Sequence, residues 1–98
     1  MYMVVRTYQT KPGANIQEIV QSVKTGFVPI VSQTPGFVSY FVVNTGNNSI
    51  ASVTVFQDQA GADESTRRAS SWVSENLVSL LQLPAQITEG EVLFSQMS

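Results

Sequence analysis

The sequence contains no cysteine and no histidine. Without thiols, disulfides, zinc–thiolate sites, iron–sulfur clusters and cysteine nucleophiles are excluded. Without imidazole, the commonest metal ligand, the commonest general base and the usual proximal haem ligand go as well. Charge is also scarce: five basic and seven acidic residues leave a net charge of −2. Arg6, Lys11, Lys24, Arg67 and Arg68 are scattered with one adjacent pair, so no basic stripe forms for a nucleic acid. No apolar run approaches the roughly 20 residues of a membrane span, and the N-terminus lacks a signal-peptide pattern. The expectation is a cytoplasmic protein that partners neither nucleic acid nor membrane.

What remains suits a single domain over residues 1–98, with 43% apolar residues to form one core. So small a domain buries a limited fraction of its surface and gains from association. Tyr2 to Gln9 is rich in β-branched and aromatic residues and ends at the turn signal Lys11-Pro12-Gly13, which predicts a strand. Asn15 can cap a helix carrying Ile16, Ile19, Val20, Val23, Phe27, Ile30 and Val31 at a period near 3.6. Gly26 and Pro29 predict a kink in its second half. Phe37 to Asn44 and Ile50 to Phe56 read as a hairpin around the turn-formers of residues 45–49. Asp63 is the expected cap of a second helix bearing Ala69, Trp72, Val73, Leu77, Leu80 and Leu81, closed at Leu83-Pro84. A last strand is expected over Ile87 to Ser95.

That βαββαβ order predicts a ferredoxin-like α+β fold. Its four-stranded antiparallel sheet has the first and third strands central and two helices on one face. The uncovered face of such a sheet is usually polar. Here both faces carry large apolar residues. With the smoother aliphatic set assigned to the helices, Tyr2, Val4, Tyr8, Ile50 and Phe56 are expected on the open side, where they would pair with a second copy.

Several residues can carry chemistry. Arg6, mid-strand, suits an anionic ligand or an ion pair with Glu89 or Glu91; buried charges are usually partnered, which favours the pair. Trp72 can stack on a planar ligand or serve as core. Tyr40, Tyr8 and Asn44 can orient a substrate or hold an oxyanion, and equally suit an interface or a strand end. Arg67 and Arg68 sit near the start of the second helix, against its dipole, where they either capture an anion or lie solvated beside Asp63 and Glu64. The spacing of Asp58, Asp63 and Glu64 matches no metal loop, so no metal is expected.

Pro35-Gly36-Phe37-Val38-Ser39-Tyr40 at the second strand, Gly90-Glu91-Val92 in the last, and the element order resemble the dimeric α/β-barrel superfamily, in particular its antibiotic biosynthesis monooxygenase-like domains. The resemblance spans nearly the whole chain. It implies a homodimer of two sheets packed face to face. Some members oxidise polycyclic aromatics with neither metal nor flavin, and others degrade haem with a histidine that this chain lacks. The resemblance suggests Trp72, Tyr40 and Asn44 as catalytic candidates and Arg67 as a substrate-binding one, to which the strand reading adds Arg6 and Tyr8. The resemblance implies cofactor-free oxidation of a small aromatic or quinol compound. The alternative is a non-catalytic barrel that binds a small ligand or a protein.

Overall fold

β-Branched and aromatic residues in Tyr2–Thr10 form the first strand, β1, in a computed structural model that describes residues 1–98. Helix α1 (Ile16–Ser22) follows, its first turn capped by the Asn15 side chain, which accepts from the Gln17 amide. The chain then widens into a π-helical turn, Val23–Phe27, before α2 (Val28–Ser32) resumes with Pro29 in its first turn. The expected change of course is thus a π turn that contains Gly26.

β2 (Phe37–Gly46) and β3 (Ser49–Phe56) are joined through Asn47 and Asn48, both at positive φ (54° and 60°). This is the two-residue hairpin geometry that Asn tolerates. Helix α3 (Gln59–Asn76) begins five residues before the expected start, because Asp58 rather than Asp63 is the cap and accepts from the Gly61 amide. It also ends sooner. Leu80 and Leu81 keep helical spacing but lie beyond the helix, and β4 spans Leu81–Glu91 instead of Ile87 to Ser95.

The strand order is β2-β3-β1-β4, antiparallel throughout, with β1 and β3 central as expected. On the edge strand β4, where a missing N–H is tolerated, Pro84 lies in a bulge: Tyr8 alone faces Leu83, Pro84 and Ala85. No helix is long and apolar enough to cross a membrane.

The assignment of sheet faces is reversed. Val4, Tyr8, Ile50 and Phe56 are buried beneath the helices with Ile19, Phe27, Val31, Ala69 and Leu77. The side left bare carries Met3, Val5, Val53, Phe41 and Val43, with Phe41 55% exposed. Both faces are apolar, so strict alternation could not tell them apart. The larger side chains took the helix side because only there is a second layer thick enough to bury them.

Candidate functional site

Pairing across the sheet builds the site. Val4, Thr54 and Tyr40 form one rung on the helix face, and Arg6, Ser52 and Val42 form the next. The guanidinium of Arg6 therefore points into the layer between sheet and helices, and only 2% of the residue is exposed. It meets no carboxylate. Nη1 donates to Thr54 Oγ1 at 3.3 Å, and Nη2 donates to Ser65 Oγ at 3.2 Å and Thr66 Oγ1 at 2.9 Å. Nε is buried without a partner. The expected pairing with Glu89 or Glu91 is absent: Glu89 instead accepts from the Tyr2 hydroxyl at 3.1 Å, at the exposed edge of the sheet. Desolvation pulls the Arg6 pKa below its ordinary value, opposed by Tyr8, Tyr40 and the more distant Glu89 carboxylate.

Arg6 borders two chambers. The inner one has a free volume of about 30 Å³, room for about two waters. Its walls are almost wholly apolar, with Phe27, Trp72 and Leu77 on the helix side and Tyr8, Tyr40 and Ser52 on the sheet. The outer one, about 170 Å³, lies between α3 and β4; Thr66, Ser70 and Ser74 face Leu83, Pro84, Ala85 and Ile87 across it. Arg6, Tyr8 and Val73 belong to both and form their common wall.

An aromatic chain crosses the inner chamber. The Phe27 ring lies 5.8 Å from Tyr40 and 5.6 Å from Trp72, both tilted, as ring quadrupoles prefer. Burial pushes the Tyr40 phenol up to about 12 and raises that of Tyr8, while the Arg6 cation opposes both. At neutral pH the two phenols are therefore hydrogen-bond donors and not bases.

Of the expected residues, the fold brings Arg6, Tyr8, Tyr40 and Trp72 together. Two lie elsewhere. Asn44 is at the exposed end of β2, where Oδ1 accepts from the Gly46 amide at 3.0 Å and shapes the hairpin. Arg67 is on the exposed side of α3, paired with Glu64, which also accepts from Arg68 Nε at 2.9 Å. Thr54, Ser65, Thr66 and Phe27 were not foreseen. The one available signal was Ser65-Thr66, four and three residues ahead of Ala69, on the helix stripe that faces the sheet.

The model of the antibiotic biosynthesis monooxygenase family matches residues 1–70. A search of curated proteins finds no match. Among solved structures, a protein of unknown function from Nitrosomonas europaea superposes with TM-score 0.79 at 18% identity, covering 99% of this chain and 93% of that one. A monooxygenase from the gene ActVA-Orf6 of Streptomyces coelicolor, in complex with nanaomycin D, gives 0.76 at 17% identity over 99% and 91%. SnoaB, a cofactor-independent oxygenase from Streptomyces nogalater, gives 0.72 at 13% identity over 96% and 94%. At such identities the likeness is one of fold.

Proposed function

The chain belongs to the antibiotic biosynthesis monooxygenase family, and from that premise we propose that it oxidises a small aromatic or quinol compound with molecular oxygen at the chambers around Arg6. The observation that carries this reading is a buried cation with no carboxylate in contact, flanked by two neutral phenols and an apolar aromatic wall. A hydroxyarene reacts with oxygen through its phenolate. A cation buried among apolar side chains favours that anion far more than water does. Arg6 would hold the developing oxyanion, Tyr8 and Tyr40 would donate to it, and Trp72 and Phe27 would orient the ring. The ring itself supplies the electrons. One molecule of oxygen converts a hydroxyarene with a free para C–H to the para-quinone, with one oxygen atom entering the ring and the other leaving as water.

The same reading pairs the open sheet face with a second copy. The resemblance to the dimeric α/β-barrel superfamily supports this, as does the apolar surface of Met3, Val5, Val53, Phe41 and Val43. Oxygen consumption with a panel of naphthols and hydroquinones tests the activity. Removal of one oxyanion donor costs on the order of a hundredfold in kcat, so Arg6→Met should lose about that much. Trp72→Ala should also slow turnover, and rates equal to wild type in both variants would discard the site.

One dimension favours a second reading, a non-catalytic barrel that binds a small ligand. The inner chamber of about 30 Å³ does not admit a ring unless Trp72 moves. Ligand binding with no oxygen uptake on any hydroxyarene would select that reading.

A further inference from the structure

Arg6 is the only charged side chain on the walls of either chamber. Three of its five N–H groups are used, all on neutral hydroxyls. Two of those hydroxyls donate elsewhere: Ser65 Oγ and Thr66 Oγ1 both bond the Ala62 carbonyl, at 2.8 and 3.1 Å. They orient the guanidinium without neutralising it. A buried charge left uncompensated is costly, and folded proteins pair such groups or hold them for a ligand.

The outer chamber is shaped for the missing partner. Thr66, Ser70 and Ser74 recur at every fourth residue of α3 and so run in a file along one helix face. The opposite wall is apolar, made by the bulge of β4 with Leu83, Pro84 and Ala85, and by Ile87. The cation stands at the inner end, beside Tyr8 and Val73.

We infer that the chamber between α3 and β4 binds a small monocarboxylate with an apolar body, its carboxylate on Arg6 and the hydroxyl of Ser70, since those of Thr66 and Ser74 already donate to the Ala62 and Ser71 carbonyls, and its body against Leu83, Pro84 and Ile87. The inference rests on the Arg6 site proposed above and names an anion that occupies it from the outer side, in competition with the oxyanion of a hydroxyarene held against Trp72 and Phe27 on the inner side. One positive charge matches one negative charge. A phosphate dianion would bring a second, uncompensated charge into a site with no other cation. A neutral alcohol of the same size would leave Arg6 unpaired, and the apolar wall has no use for a small, strongly hydrated anion.

Benzoate is a suitable probe because it has the acid and the ring but no hydroxyl to oxidise. Titration calorimetry and thermal shift of the full chain should show saturable binding of benzoate and a rising Tm. Benzyl alcohol and inorganic phosphate should give neither. Arg6→Met should lose at least tenfold in affinity. Ser70→Trp fills the outer chamber from an exposed helix position without touching the core, and should also abolish binding. It decides the matter if Arg6→Met does not fold. Equal affinity for benzoate and benzyl alcohol, or benzoate binding unchanged in Ser70→Trp, would overturn the inference. Oxygen uptake without benzoate binding would sink it alone and leave the oxidation reading standing. Benzoate binding without oxygen uptake would do the reverse.

Discussion

Trp72 lies directly over Gly26: a Cβ built at position 26 would stand 2.6 Å from Cζ2 of the indole and 3.0 Å from Nε1. The π turn and the tryptophan are one device, since a bare backbone at Gly26 lets the ring close the inner chamber against Phe27. Ala at this position would gain up to about 1 kcal/mol of helix propensity. The overlap with Trp72 outweighs it, because inserted volume in a packed layer costs about 1–3 kcal/mol. Gly26→Ala should therefore be less stable in urea and show altered indole fluorescence. A variant more stable than wild type with unchanged emission would contradict this packing.

Tyr40 predicts an alkaline limit to stability. Its phenol titrates near 10 when unfolded and is pushed up to about 12 by burial in the native state. The native form then holds a proton that the unfolded chain gives up, so stability falls as pH rises from about 10 to about 12. At about 1.4 kcal/mol per unit, the full loss is at most about 3 kcal/mol. Tyr40→Phe should flatten the decline of urea midpoint with pH over that window and leave the profile below pH 9 unchanged. A decline as steep as that of wild type would assign it to other groups.

The order of elements, the first strand, the first helix with its irregularity, and the hairpin were all legible in the sequence. They rest on local signals: β-branched runs, the Asn15 cap and the paired asparagines at 47 and 48. The start of α3 was not, because Ala60 and Gly61 have no apolar periodicity and Gly61 is placed there by contact: a Cβ would meet the Pro35 carbonyl at 2.6 Å. The start of β4 was hidden by Leu77, Leu80 and Leu81, whose helical spacing continues past the end of the helix. Arg6 shows the limit most clearly. Its strand was evident, but the side it faces depends on Ser65 and Thr66, some sixty residues away. A sheet apolar on both sides offers no local pattern to decide that. Asn44 was attractive by residue type alone, and its position at the hairpin end removes it from the chamber.

Loss of the Arg6 charge should not unfold the protein. Ser65 and Thr66 keep their bonds to the Ala62 carbonyl, and Met fills much of the same volume. Replacement of buried ionic groups by apolar ones is often neutral or stabilising by about 1–4 kcal/mol. Arg6→Met should unfold at a urea concentration equal to or above that of wild type. A loss beyond about 2 kcal/mol would mean that the hydroxyl contacts hold the fold together and that the cation is structural.

The bare sheet face predicts self-association. At micromolar concentration the 10.7 kDa chain should sediment at twice its mass. Phe41 is 55% exposed in the single chain and faces Val53 across the strands, with Val5 beyond it. A charge there would be stranded in an apolar interface. Phe41→Asp should therefore sediment as a single chain with its near-ultraviolet spectrum retained. Single chains for wild type under the same conditions would remove the pairing.

A buried Arg6 cation free to meet a ligand can be observed directly at its side-chain Nε–H by nitrogen-15 NMR of arginine-labelled protein. Only three arginines are present, and Arg6→Met assigns the resonance. The Arg6 Nε–H should exchange slowly, shift on addition of benzoate and be unmoved by benzyl alcohol, while the signals of Arg67 and Arg68 stay in place. An Arg6 signal that exchanges as fast as the other two, or that ignores benzoate at every concentration, would contradict this.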